Sequence, residues 1–130
     1  VFSKHFTENL AKIIEATGAM IVVSSTWRSR GTIAIKDMWE FRNLPGDVIG
    51  CTGYDVDRHR GNEIQNWLNE VNSYTEIESY VILDDDSDFL LCQRKHHVKT
   101  AGNNHLDAVE GFGLTTLCTE KAINILNNKF

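Results

Sequence analysis

Four carboxylates sit within five residues of this sequence, at Asp84, Asp85, Asp86 and Asp88. They follow Tyr80-Val81-Ile82-Leu83, an apolar and β-branched run that predicts a buried strand. Strand interiors disfavour Asp and adjacent like charges repel, so such an ending serves stability poorly by itself. A hard cation such as Mg²⁺ removes the conflict, because it prefers oxygen ligands and commonly takes one or two carboxylates plus waters. A solvated acidic turn capping the next helix accounts for the same residues.

Two further groups carry chemistry. Ser24 and Ser25 close a short apolar run at residues 19–23 and are followed by Thr26, Trp27 and Arg28. Hydroxyls at the C-terminal end of a buried strand are where open α/β sheets place ligand contacts. They suit a phosphate oxygen, and Arg28 adds charge. An ordinary strand-to-loop transition uses the same residues for turn bonds, and Trp27 reads as packing. The second group is Arg58 and Arg60, just ahead of a helix pattern. Acids rather than bases suit that end of a helix dipole, so the mismatch points to an anion facing one of them. A solvated arginine is the plainer account of each.

The elements that must position these residues follow from periodicity. Phe2, Phe6, Leu10, Ile13 and Ile14 mark one helix face over residues 2–17, with Gly18 as its C-terminal cap. A strand at 19–23 comes next, then a less regular helix over 31–44 carrying Ile33, Ile35, Met38, Trp39, Phe41 and Leu44, ended by Pro45-Gly46. Residues 48–52 read as extended and 53–60 as a polar loop. The clearest helix spans 61–71, with Ile64, Trp67, Leu68 and Val71 inward and Glu63, Gln65, Asn66, Asn69 and Glu70 on the polar face. The acidic strand follows, then a short helical turn at 89–92 and a strand at 96–100. Adjacent histidines on a strand point to opposite faces, so His96 and His97 are expected at the surface or edge and make a poor metal pair. Residues 101–113 read as a loop in which His105 has no evident partner. A last helix, capped by Thr115 or Thr116, runs through Asn127 with Leu117, Ala122, Ile125 and Leu126 inward.

Composition narrows the function classes. At 130 residues and 42% hydrophobic, the chain is expected to form a single globular domain, residues 1–130. No run approaches a membrane span and no signal-peptide pattern is visible, which predicts a cytoplasmic protein without a membrane partner. Cys51, Cys92 and Cys118 lack metal-ligand spacing and are expected as reduced thiols. The formal net charge of −5 argues against nonspecific nucleic-acid binding without excluding it, and leaves room for a phosphorylated substrate.

The order of elements, α-β-α-β-α-β-β-α, predicts an α/β domain with a three-layer, doubly wound, Rossmann-like and mostly parallel sheet. The motifs in that order resemble the haloacid dehalogenase (HAD) superfamily of phosphotransferases. Ile21-Val-Val-Ser-Ser25 looks like its second motif, Arg60 before the helix like its basic third, and Val81-Ile-Leu-Asp-Asp-Asp-Ser-Asp88 like its acidic fourth. With VKT and GLT downstream, the pattern is similar to a compact bacterial and phage group, and it covers nearly the whole chain.

The resemblance implies a Mg²⁺-dependent phosphohydrolase working through an aspartyl-phosphate. It assigns the metal to Asp84 and Asp85, with Asp88 a second candidate. It assigns the phosphoryl oxygens to Ser25, or to Ser24 one residue earlier, and charge neutralisation to Arg60, with Arg58 next. The family's first motif is an Asp-x-Asp strand ahead of the opening helix, and here no Asp occurs before Asp37. The expectation is therefore a truncated HAD-like domain lacking its first central strand and nucleophile, and inactive by itself. A second chain completing the sheet, or a rearranged sheet, is the alternative. A non-catalytic binding or assembly domain is the competing function, and a nucleic-acid end-repair phosphatase a third. Short loops in place of a cap domain imply an open site.

Overall fold

Left-handed residues set where the first two helices stop. Helix α1 (Lys4–Thr17) ends because Gly18 takes φ of 70° and its N–H donates to Ile14 O at 2.8 Å, a cap that glycine adopts without a Cβ clash. Helix α2 (Thr32–Phe41) stops before the predicted boundary because Asn43 does the same work at φ of 52°. The Asn43 N–H donates to Glu40 O and the Leu44 N–H to Trp39 O, each at 3.0 Å. That paired closure ends the helix before Pro45-Gly46 is reached. These features belong to a computed structural model that describes residues 4–24, 26–85, 87–100 and 114–128. Ser25, Asp86, the side chain of Trp27 and the 101–113 loop with His105 lie outside the described residues.

The elements fall into two compact units. One comprises β1 (Ile21–Val23), α2, β2 (Val48–Cys51), α3 (Arg60–Asn72) and residues 88–94. β1 and β2 run parallel, with Val22 opposite Gly50 and Val23 opposite Cys51. The buried apolar residues of this unit are Ile35 and Trp39 of α2, Val48 of β2, Ile64 and Leu68 of α3, and Phe89. Trp39 keeps its indole N–H satisfied on Pro45 O at 2.8 Å, as a buried indole must. Between β1 and α2 the chain makes a 3-10 turn at Thr26–Arg30 that periodicity does not signal.

The other unit comprises α1, β3 (Ile82–Asp84), β4 (His97–Lys99) and α4 (Thr116–Leu126). β3 and β4 are parallel, pairing Ile82 with His97 and Asp84 with Lys99. α1 packs on α4. Leu10, Ile13, Ile82, Val98, Leu114 and Ala122 are its buried apolar residues. Asn9 is buried with them because its Nδ2 donates to Leu114 O at 2.7 Å. Of the two candidate caps for α4 it is Thr115 that serves, its hydroxyl accepting the Cys118 N–H at 3.2 Å.

The α/β class and the parallel pairing agree with expectation. Among the described residues the strands form two parallel pairs rather than one continuous sheet. Several side chains differ from the predicted pattern. Ile33 and Phe41 are 78% and 88% exposed, so α2 buries only the stripe through Ile35 and Trp39. Leu117, expected inward, is exposed in the first turn of α4. Glu63, expected on the polar face of α3, is buried. His96 and His97 are half-buried, because each ring has a carbonyl to bond. Among the described residues no helix is long and apolar enough to cross a membrane.

Candidate functional site

The strand β1 delivers Ser24 to its C-terminal end, and two arginines of the same unit meet it there. Arg60, the first residue of α3, donates from Nη2 to Ser24 Oγ at 3.2 Å. Its guanidinium carbon also lies 5.5 Å from the centre of the Phe89 ring. Arg28, from the 3-10 turn, donates from Nη1 to the Ser24 carbonyl and reaches Thr52 Oγ1 at 3.5 Å. Arg28 and Arg58 hold their guanidinium carbons 4.3 Å and 4.7 Å from the centre of the Tyr54 ring.

Burial explains how the cluster is held. The Arg28 side chain is 8% exposed and that of Glu63 is 0% exposed, with Nη2 and Oε1 2.8 Å apart. A buried charge without a partner costs several kcal/mol, so each of these two residues makes the other tolerable. The contact is an ion pair without hydrogen-bond alignment, and Arg28 Nε finds no acceptor among the described residues. The second Glu63 oxygen accepts the Asp55 N–H at 2.9 Å, which ties the 52–55 segment to α3. Glu63 thus fixes Arg28, and Arg28 fixes the end of β1.

Close backbone approach completes the frame. A Cβ on Gly61 would lie 2.8 Å from Leu90 N, so only glycine lets α3 meet this segment. Gln93 is fully buried across the same junction. It donates from Nε2 to Gly61 O at 2.9 Å and accepts the Leu90 N–H at 3.0 Å on Oε1. His59 supplies the N-cap of α3, its Nδ1 accepting the Asn62 N–H at 3.3 Å.

The acidic residues are distributed between the two units. Asp84 ends β3, half-buried, and its carbonyl accepts the Thr100 N–H at 3.0 Å and faces His97 Nε2 at 3.0 Å. Asp85 follows it, exposed. Asp88 belongs to the unit of Ser24 and is exposed next to buried Phe89. Among the described residues no three of His, Cys, Asp and Glu assemble as a metal-binding group. Asp84 and Asp85 fit Mg²⁺ in kind, since that ion uses hard oxygen donors and completes its octahedron with waters.

Sequence reasoning singles out Ser24, Arg58 and Arg60, and the structure brings Ser24 and Arg60 into contact. It missed Glu63 and Tyr54. Glu63 looked like any charged residue on a polar helix face, and its partner lies 35 positions earlier, so no local signal reports the pair. Chemically, Ser24 accepts from Arg60, which leaves its hydroxyl proton to donate elsewhere. A guanidinium beside a hydroxyl donor at a strand end is a grip for an oxyanion.

The family described as the HAD domain in Swiss Army Knife RNA repair proteins matches residues 1–110. No curated protein and no solved structure matches the chain. With most of its length matched, this chain belongs to the HAD domains of Swiss Army Knife RNA repair proteins.

Proposed function

We propose that this chain supplies the phosphate-gripping and metal-holding parts of a Mg²⁺-dependent phosphohydrolase or phosphotransferase acting on phosphorylated RNA ends, in a doubly wound, three-layer HAD-like fold. The observation that carries the reading is the Arg60–Ser24 contact at 3.2 Å at the end of a parallel strand. The family's description, which names RNA repair proteins, supports the substrate class.

Arg60 holds and neutralises the phosphoryl oxygens in this reading. Ser24, with its neighbour Ser25, donates a hydrogen bond to one of those oxygens. Arg28 and Glu63 do not touch the substrate; they keep Ser24 in place. Asp84 and Asp85 hold the metal, with Asp88 a further candidate. When bound, Mg²⁺ offsets the negative charge shared by the phosphoryl group and its attacking carboxylate. That carboxylate is the first Asp of an Asp-x-Asp strand, which no residue before Asp37 matches. It comes from a neighbouring segment or from a second chain that adds a strand.

A non-catalytic binding domain is the second reading. Phosphate release separates the two, assayed with the chain extended by its upstream coding sequence. Aryl phosphate and a terminally phosphorylated RNA are the substrates. The proposal expects turnover that chelation abolishes and that Arg60→Ala lowers about 100-fold, the scale of losing one donor to a developing oxyanion. A folded, Mg²⁺-supplied protein that binds RNA but releases no phosphate decides for the binding domain.

A further inference from the structure

The unit of Ser24 and Arg60 holds another guanidinium that is not needed to explain their contact. Arg58 is exposed and lies over the Tyr54 ring, which is itself 51% exposed. Among the described residues Arg58 has no carboxylate at ion-pairing distance. The nearby Asp55 carboxylate is engaged locally, accepting the Asp57 N–H at 3.3 Å and meeting Asn62 Nδ2 at 3.5 Å. The backbone is arranged for this placement. Arg58 has φ of 57°, and its N–H closes a turn on Asp55 O at 3.0 Å. An L-residue pays for the left-handed region, so the conformation is held by its surroundings and not by its own preference.

Arg28 joins this platform to the grip at Ser24. The same buried side chain bonds the Ser24 carbonyl and lies against Tyr54. A substrate whose terminal phosphate meets Ser24 and Arg60 therefore has Tyr54 and Arg58 beside it. A guanidinium stacked on a ring keeps its planar fork oriented and loses less freedom on taking a phosphate.

We propose that Arg58, held over Tyr54, binds the internucleotide phosphate adjoining the terminal phosphate of a single-stranded RNA. Tyr54 and Arg58 then select an RNA end over a small phosphate monoester. The inference rests on reading Ser24 and Arg60 as the terminal-phosphate site. The net charge of −5 keeps the contact short, one or two phosphates and not a long track, because the overall field repels a polyanion.

The test is fluorescence anisotropy with a labelled RNA hexamer bearing a terminal phosphate, across a salt series, with phenyl phosphate as competitor. Arg58→Gly suits the left-handed backbone and removes the whole side chain with its guanidinium. It is expected to weaken RNA binding about tenfold and to flatten the salt slope by about 0.7, the value for one phosphate contact on a single strand. Competition by phenyl phosphate stays unchanged. Arg58→Lys restores the salt slope but only part of the affinity, and Tyr54→Leu weakens RNA binding like Arg58→Gly. Equal RNA affinity of wild type and Arg58→Gly overturns the proposal, as does wild type that binds no RNA. So does an equal loss of phenyl phosphate binding, which would place Arg58 on the terminal phosphate. If RNA with a terminal hydroxyl binds as tightly and still needs Arg58, the Arg58 assignment stands and the terminal-phosphate reading of Ser24 and Arg60 falls.

Discussion

The two parallel strand pairs finish their first strands in opposite ways. At the end of β1, side chains do the holding. Arg28 grips the Ser24 carbonyl, Arg60 its hydroxyl, and a buried Glu63 restrains Arg28. At the end of β3 the backbone does it, with the Asp84 carbonyl meeting Thr100 N–H and His97 Nε2 while Asp85 stands in solvent. The difference follows from what each charge costs. A guanidinium pushed into the interior requires a partner, whereas a carboxylate left at the surface is stabilised by water. Cations are built into the fold at one strand end, and anions are presented to solvent at the other.

The largest break in that contrast is Glu63→Ala. It strands Arg28 as an unpaired buried charge and is expected to cost about 3–5 kcal/mol in urea unfolding. Replacing both partners, Arg28→Met with Glu63→Leu, should recover much of that stability while leaving Ser24 unheld. A double variant no more stable than Glu63→Ala would show that the pair is not the source of the loss.

Gly61→Ala comes next, at about 1–3 kcal/mol, since its methyl group would meet Leu90 N at 2.8 Å. Unfolding indistinguishable from wild type would mean that α3 moves aside freely. In the other unit, Thr115→Ala removes the α4 cap and should cost about 1 kcal/mol by the same measurement. Asp85→Asn has the smallest effect, within about 0.5 kcal/mol without added metal, because its carboxylate is exposed. It should also reduce the rise in Tm that Mg²⁺ produces in the wild type. An equal Mg²⁺ response in both proteins would remove Asp85 from the metal site.

Local signals were read well and long-range ones were not. The helix over 61–71, the strand running into Asp84 and the glycine stop at Gly18 each announce themselves within a few residues, and each is present. The order of Ser24, Arg60 and the acidic run was legible for the same reason, as was the HAD family. The stop at Asn43 was harder, because asparagine takes the left-handed cap less often than glycine and Pro45-Gly46 looked sufficient. Ile33 and Phe41 misled because an apolar residue at helical spacing does not reveal which of two faces meets a neighbour. Glu63 was invisible in principle: burial of a carboxylate depends on a cation that the fold brings to it.

The pairing of α1 with α4 bears on how the chain is made. Asn9 bonds Leu114 O across 105 positions, so α1 leaves the ribosome well before the residues that complete it. At about 5–20 residues per second, α1 waits on the order of 5–20 s for its partner. The unit built on β1 and β2 has no such wait, since all of it lies between residues 20 and 94. Stalled chains ending near residue 100 should therefore protect the amides of α3 from hydrogen exchange while those of α1 remain open. Protection of α1 in such chains would show that it folds without α4.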